Sequence, residues 1–502
     1  MSQIWISLDV GTTAIKAAAY AQNGVILASA SASTDVLRGP DGSAEQDPHD
    51  VWTAAASCLK TVSKDIEINR VSSLGVCAQG DGFWPLDHDG APVGNAILWS
   101  DTRTDIASDL AGLRSKGALK AVSLGCNTDL WPGTSVMGWR WLRKADPDRA
   151  ARVAHIVTCG DWIARQLTGQ IATDVSNATI PFLDVQTRHY GAAAKALDCL
   201  DALEKLPQPR SAQSVLGYVT EEAATQTGLP VGLPVSVATL DLAAMIVGLG
   251  MARAGETMMI LGTTAVVNIL TDQIAPTSDP MGATVLHPTS SVAIRVLAPS
   301  TGAAAFDWFA SLHPMSLGSE STDEVATKLN TLVQDIPVGA NGVIFLPYLN
   351  GERAPFVDPA IRAGFLGMSG ATTKGELGRA VMEGTAFSLR HCFVSENGLP
   401  TQPVQLTGGG SRNPVWCQIV ADVIGQDVLV NPASDLGLWG AAVLGAAAVN
   451  GEDAITMANR TSNELTTYSA NPERHAAYGP LYQKYVALSE ALRSVSIPVQ
   501  GL

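Results

Sequence analysis

The chain has 502 residues, 46% hydrophobic and 16% charged, and its 32 Lys+Arg against 47 Asp+Glu give a formal charge of −15. That length allows two or more domains with substantial cores. An acidic chain without a basic tract offers no electrostatic footprint for nucleic acid, so any bound phosphate has to be held by backbone amides, hydroxyls and metal.

Seven cysteines, Cys58, Cys77, Cys126, Cys159, Cys199, Cys392 and Cys417, form neither CxxC pairs nor a regular framework. They read as small core residues in a reducing compartment. No basic-then-apolar leader opens the chain. The most apolar long stretch, 229–252, carries Pro230, Pro234 and Asp241, which argues against a membrane span. A soluble, cytoplasmic protein is expected.

In chain order, Ile4, Ile6, Leu8 and Val10 alternate with Trp5, Ser7 and Asp9, the period of a strand with one buried face. Gly11-Thr12-Thr13 follows, and a second apolar run extends to Tyr20. A carboxylate at a strand end, followed by backbone amides and two hydroxyls, suits a metal and a phosphate. Ordinary hairpin chemistry explains the same residues. Residues 25–33 read as a third strand, and 50–62 as a helix opened by an Asp suited to capping. The stretch 71–78 returns to a strand and closes on Gln79-Gly80-Asp81-Gly82, and strands over 83–87 and 96–99 lead into Ser100-Asp101-Thr102-Arg103. Polar clusters at neighbouring strand ends are where an α/β domain usually binds a small ligand. Trp99 and Trp131 flank these loops and are candidate sugar-stacking platforms.

Helical spacing covers 104–120 and 136–144, and 149–167 reads as a strand followed by a helix opening at Asp161. The run 235–240 ends at Asp241, an acid in one of the most apolar neighbourhoods of the chain. Such an acid is costly unless paired or functional, although capping the next helix is an equally simple use. In the second half, 258–268 reads MMILGTTAVVN, so an apolar strand again meets Gly262-Thr263-Thr264, about half a chain after Gly11. Ile260 stands where the first copy has Asp9. A duplicated phosphate turn with a carboxylate in one copy suggests two similar lobes gripping one nucleotide, with the metal held from one side.

Further on, a strand is expected over 292–298, a helix over 303–309 and a polar loop over 316–323. A strand at 342–348, a helix at 376–393, a strand at 404–406 and a helix at 414–424 complete the scheme. Between the last two stands Gly408-Gly409-Gly410, which lets backbone approach a flat or phosphorylated ligand. Neither a Walker motif nor a zinc-type cluster occurs, and the eight histidines are scattered.

These motifs together resemble the FGGY family of carbohydrate kinases. The most specific match is 363–383, AGFLGMSGATTKGELGRAVME, which fits the family's second signature. Around it stand Asp9–Thr13 (DVGTT), SDTR at 100–103, TDVSNA at 173–178, TLDLAAMIVGLG at 239–250, GERAP at 351–355 and GGGSRNPVW at 408–416. The first signature departs from the family at Gly138, and Pro132-Gly133 stands where some members have Pro-Tyr.

The resemblance implies a two-lobed actin-like (ribonuclease H-like) α/β fold, with duplicated mixed-sheet domains and a cleft between them. The lobes are expected at 1–248 and 249–450, with a helical extension at 451–502. It implies ATP and Mg²⁺, with Asp9 on the hydrated metal, Thr12 and Thr13 at the γ-phosphate and Thr263 on the turn at Gly262 reaching the β/γ-phosphates. Gly302 falls on the ribose side, Gly409, Gly410 and Asn413 at the adenosine, and Asp241 becomes the catalytic base. Gln79, Asp81, Trp99, Asp101 and Asp241 are expected to contact the acceptor. The Gln-Gly-Asp-Gly wording is similar to erythritol- and L-xylulose-type kinases, and an acidic pocket disfavours an acid sugar such as gluconate. The expected reaction is phosphorylation of a terminal hydroxyl on a four- or five-carbon polyol or ketose. The rival is an actin-like or regulatory sugar-binding ATPase without transfer, and a homodimer is compatible with either.

Overall fold

The computed structural model describes residues 3–191, 193–278, 280–312, 330–396, 398–431, 435–460 and 464–495. The loop expected over 316–323 lies outside them. The chain divides into two compact units, Met1–Arg253 with Asp272–Ile294 and Ala433–Ser462, and Ala254–Thr271 with Arg295–Pro432 and Asn463–Leu502.

The first unit is built on a mixed sheet. Ile4–Val10 pairs antiparallel with Ala14–Ala21, which pairs antiparallel with Ile26–Ser33, so the opening stretch forms the expected hairpin. On its other side Ile4–Val10 runs parallel to Val71–Ala78, which in turn pairs parallel with Pro234–Ser236 and Thr239–Leu240. The helix Pro48–Lys64 covers one face through Val51, Trp52, Ala55, Leu59 and Val62. Its cap is Asp47, whose side chain accepts from the His49 amide, and not Asp50, which lies inside the first turn. The helix Cys159–Thr168 likewise begins earlier than expected. Thr158 is its cap and Asp161 its third residue, whose Oδ2 accepts from the Thr158 amide at 3.0 Å.

The helix Leu436–Asn450 belongs to this first unit, which departs from a simple linear division at 248. Its sequence, LGLWGAAVLGAAAVN, has no polar face and is buried from Leu436 to Ala447, so it has to be enclosed on every side. Glycines make the fit. A Cβ at Gly440 would lie 1.8 Å from the Ala244 carbonyl oxygen, and one at Gly75 would lie 1.8 Å from that of Ala441. Trp439 then stacks on Trp5 at 6.0 Å and meets Tyr20, tilted, at 5.3 Å.

The second unit repeats the opening scheme. Thr257–Leu261 and Ala265–Thr271 form an antiparallel hairpin, and Val404–Thr407 runs parallel to its first strand, followed by Val428–Val430 and Thr466–Tyr468. The two hairpins differ by one residue at the turn: Val10 pairs with Ile15, whereas Leu261 pairs with Ala265. The family-like stretch 363–383 runs into the helix Lys374–Glu396. There Arg379 Nε meets Glu383 Oε1 at 2.7 Å, and Tyr478 donates to the same oxygen at 2.8 Å. Glu383 also accepts from the Gly339 amide at 3.0 Å. The most specific sequence signature therefore ends in a buried structural ion pair. All seven cysteines are buried and free. Among the described residues no helix is long and apolar enough to cross a membrane.

Candidate active site

Register decides what meets at the end of the first sheet. Asp9 stands opposite Cys77 on one side, and Cys77 opposite Thr239 on the other. Three parallel strands thus end side by side, delivering Asp9, the 79–82 loop and Asp241 to one edge, where α/β sheets bind ligands. A Cβ at Gly80 would lie 1.8 Å from Leu240 Cδ1, so the loop is seated directly on the residue before Asp241.

Asp241 is the first residue of the helix Asp241–Gly248, and its Oδ1 accepts from the Leu242 amide at 2.6 Å. Burial first, and then the negative charge of Asp9, push its carboxyl up to about 7. The strand end before it is clamped from 173–178. Asp174, fully buried, accepts from Ser176 Oγ and from Thr239 Oγ1 at 2.8 Å each, and Ser176 Oγ accepts from the Leu240 amide at 3.2 Å.

Asp9 is pushed up to about 6, chiefly by burial, with Lys16 pulling the other way. Lys16 is its cross-strand partner in the hairpin and meets Asp435 Oδ1 at 2.5 Å. A Cβ at Gly437 would lie 3.5 Å from Asp9 Oδ2. Lys16 is absent from the candidates that the sequence suggests, although Asp9 and Lys16 each lie two residues outside the turn 11–14, a spacing visible in the chain. Asp435, from the distant 435–450 segment, leaves no such signal. Among the described residues no group of three or more His, Cys, Asp or Glu could cage a metal. A single desolvated carboxylate instead fits Mg²⁺, which keeps most of its water and shares phosphate oxygens.

Thr12 is bound into a network. Its Oγ1 donates to Gln79 Oε1 at 2.7 Å and accepts from Trp99 Nε1 at 3.0 Å. Gln79 Nε2 donates to Gln46 Oε1 at 2.9 Å, and Gln46 Nε2 to the Thr12 carbonyl at 2.9 Å. Gln79 is 3% exposed, and its amide is engaged at both its oxygen and its nitrogen. Asp101 departs from expectation in the same way. Completely buried, it accepts from the Ala44 amide at 2.8 Å and from Arg103 Nη2 at 2.7 Å, so its carboxylate secures the loop against Arg103 and Glu45. Trp99 is 41% exposed and keeps an accessible ring, whereas Trp131 is half-buried.

Asp81 adopts φ 57° and accepts from the Ser135 amide at 3.0 Å, capping the helix Ser135–Ala145 from a distant loop. Its Oδ2 is buried without a partner, and burial pushes the carboxyl up to about 8. The two departures from the family pattern have steric causes. A Cβ at Gly138 would come 2.6 Å from Phe83 Cβ, and one at Gly133 2.0 Å from the Trp99 carbonyl oxygen.

In the second unit the Gly262 amide donates to the Thr264 carbonyl at 3.0 Å, and the Gly302 amide to that of Thr263 at 3.0 Å. A Cβ at Gly302 would lie 2.4 Å from that Thr264 carbonyl, so Gly302 is pressed onto the turn. Thr13 and Thr263 are exposed. Glu352 of GERAP, buried, accepts from the Ser300 amide at 2.7 Å and ties its loop to the one carrying Gly302. Gly408, at φ 93°, and Gly410 abut Leu261, with Cβ positions 2.7 and 2.5 Å from its atoms. Gly409 is exposed, with only Arg412 Nη2 at 3.6 Å. Asn413 caps the helix Pro414–Ile424 and donates to Asn330 Oδ1 at 2.8 Å.

Residues 4–248 match the N-terminal domain of the FGGY family of carbohydrate kinases and residues 257–449 its C-terminal domain. The chain is 26% identical over 497 residues to a probable L-xylulose kinase of Pasteurella multocida, covering 98% of this chain and 99% of that one. It is 27% identical over 463 residues to the erythritol kinase of Brucella abortus, covering 89% and 87%. The crystal structure of xylulose kinase from Rhodospirillum rubrum superposes with a TM-score of 0.86 at 26% identity, covering 98% of this chain and 99% of that one. The architecture is the actin-like ATPase fold that the family resemblance implied. Two family domains, matched in order over nearly the whole length, make this chain a member of the FGGY family of carbohydrate kinases.

Proposed function

We propose that this kinase transfers the γ-phosphate of ATP to a terminal hydroxyl of a linear four- or five-carbon polyol or ketose, erythritol- or xylulose-like, with Asp241 as the base. The observation that carries the reading is the convergence of three parallel strand ends, which brings Asp9, the 79–82 loop and Asp241 to one edge. A carboxylate pushed up to about 7 is well matched to orienting a hydroxyl and taking its proton near neutrality. Trp99 offers a ring for a carbon chain. Selection then rests on hydrogen bonding, as suits an uncharged polyol. The names of the relatives, L-xylulose and erythritol kinases, agree with this acceptor size.

Mg²⁺, when bound, neutralises charge on the β- and γ-phosphates, and Asp9 is the residue that would hold it through water. Thr13 and the Gly11 turn serve the γ-phosphate, Thr263 and Gly262 the β/γ-phosphates, and Gly302, Gly409, Gly410 and Asn413 the nucleoside. The setting is cytoplasmic, in keeping with seven buried thiols, and a homodimer suits the reading. ADP release across erythritol, both xyluloses, glycerol and gluconate tests the acceptor. Erythritol or a xylulose is expected to give a kcat/KM at least about tenfold above the others, and EDTA to stop turnover. Gluconate as the best acceptor overturns the reading.

The glycines separate packing from nucleotide approach. Gly410→Ala is expected to lower the Tm, because its methyl meets Leu261. Gly409→Ala is expected to leave the Tm within about 1 °C, since its Cβ position is open, and to raise the ATP KM several-fold. An unchanged ATP KM would remove Gly409 from the nucleotide site.

A further inference from the structure

We infer that Asp174 is a positioning residue for phosphoryl transfer: through the hydroxyls of Thr239 and Ser176 it fixes the strand end from which Asp241 is presented. The inference rests on Asp241 serving as the base, and it adds a fully buried residue whose partners, once lost, should slow the reaction.

The stretch 173–178 has a simpler local use, since Asp174 caps the four-residue helix Val175–Ala178 by accepting from the Asn177 amide at 2.9 Å. A cap needs one oxygen and no burial. Asp174 is completely buried and both of its oxygens are engaged. Its Oδ2 accepts from Thr239 Oγ1 at 2.8 Å, across 65 residues, and Ser176 Oγ lies 2.8 Å from each oxygen. Ser176 Oγ stands 3.0 Å from Thr239 Oγ1 and accepts from the Leu240 amide at 3.2 Å. Asn177 Nδ2 donates to the Ala238 carbonyl at 3.4 Å. Ala238, Thr239 and Leu240, the three residues that lead into Asp241, are therefore all held by this one segment.

The strand end needs that support. Thr239–Leu240 is a two-residue strand opposite Cys77 and Ala78, and so short a ladder supplies few backbone hydrogen bonds. Leu240 also seats the 79–82 loop, since a Cβ at Gly80 would lie 1.8 Å from its Cδ1. A shift of Thr239 and Leu240 thus moves the base and the loop beside it together. Replacing the Thr239 hydroxyl by a methyl group sets an apolar carbon against a buried carboxylate and pushes the strand end away. A displacement of about 1 Å at a reacting group costs on the order of a hundredfold in rate.

The test measures kcat and the ATP KM in Thr239→Val, Thr239→Ser and Ser176→Ala, with erythritol and L-xylulose as probes, or the fastest of the acceptors named above. Thr239→Val is expected to lower kcat roughly ten- to a hundredfold with the ATP KM changed less than about twofold, and Thr239→Ser to recover most of the loss. In an Asp241→Asn background the same Thr239→Val should change the residual kcat less than about twofold, because no base is left to position. A kcat kept within about twofold in Thr239→Val, or an equal loss in both backgrounds, overturns the inference. Ser176→Ala, which removes the acceptor of the Leu240 amide, carries the same comparison should Thr239→Val be insoluble. Asp241→Asn at the wild-type kcat overturns the base reading, whereas an inactive Asp241→Asn beside a fully active Thr239→Val overturns the inference alone. Should no acceptor turn over, the acceptor reading falls and melting at pH 8 decides. There Asp241→Asn is expected to melt above its parent, and the gap should shrink by roughly half or more in the Thr239→Val background, where a displaced carboxylate takes on water. Asp9, Cys77 and Cys159, the other titratable groups around Asp241, are the same in all four proteins. An undiminished gap overturns the inference.

Discussion

Asp241→Asn is expected to lower kcat by two to four orders of magnitude while leaving the KM for ATP within a few-fold, the usual range for removing a positioned general base. The amide keeps the shape of the side chain and its hydrogen bond from the Leu242 amide, so loss of activity need not reflect loss of fold. The same substitution should stabilise the ligand-free protein at alkaline pH. The carboxyl rises from 3.8 to about 7 on folding, chiefly by burial and then by the charge of Asp9. A group that binds its proton more tightly when folded contributes fully below its unfolded value, and that contribution is lost as pH rises through the folded one. At pH 8 the wild type carries a half-buried charge whose cost has an upper bound of about 4 kcal/mol, each tenfold change in proton affinity being worth about 1.4 kcal/mol. The variant should therefore melt several degrees higher at pH 8, with the difference closing towards pH 4. Equal melting points at both pH values would mean that Asp241 carries no desolvation cost. Activity near the wild-type level would remove it as the base.

Gly440→Ala is expected to cost more than about 3 kcal/mol, seen as a Tm lowered by roughly 5–10 °C or as insoluble protein. The added methyl would lie 1.8 Å from the Ala244 carbonyl oxygen and 3.0 Å from the Gly248 amide nitrogen, both backbone atoms that cannot rotate away. On the opposite side, Gly75 in the strand that leads to Gln79 meets Ala441 just as closely. The helix Leu436–Asn450 is therefore wedged between the elements that carry Gln79 and Asp241, and a survivor of the substitution should also lose kcat. Gly112→Ala is the control. It lies in the helix Thr104–Ser115 with no atom near its Cβ position, and should stabilise by about 0.5–1 kcal/mol. A Gly440→Ala protein as stable as Gly112→Ala would show that the helix has room to shift.

Two carboxylates show how differently the same residue type reads before and after folding. In sequence Asp101 stands in a polar loop and Asp241 in one of the most apolar stretches, and the resemblance offers both as acceptor contacts. Arg103, two residues on, and the Ala44 amide, 57 residues back, occupy Asp101 completely. Asp241 has a local amide at Oδ1 and another acid, Asp9, nearby. Asp81 lies between these cases, with one oxygen capping a helix that starts at Ser135 and the other buried without a partner.

Whatever depends on neighbours along the chain is legible in the residues alone. The hairpin of Ile4–Val10 and Ala14–Ala21, its repeat at Thr257–Leu261 and Ala265–Thr271, and the helices after Asn413 and around Glu383 follow from local side-chain pattern and turn chemistry, although Ile4–Val10 is buried on both faces, Trp5 and Ser7 included, where the alternation predicts one. Family membership was legible too, because its motifs are short and contiguous. Only the tertiary structure decided who partners whom. It placed the all-apolar helix Leu436–Asn450 with the first unit, because a helix without a polar face takes its position from whichever backbones can approach its glycines. It also tied Gln79 to Thr12, by a hydrogen bond across 67 residues that leaves no mark on either segment alone.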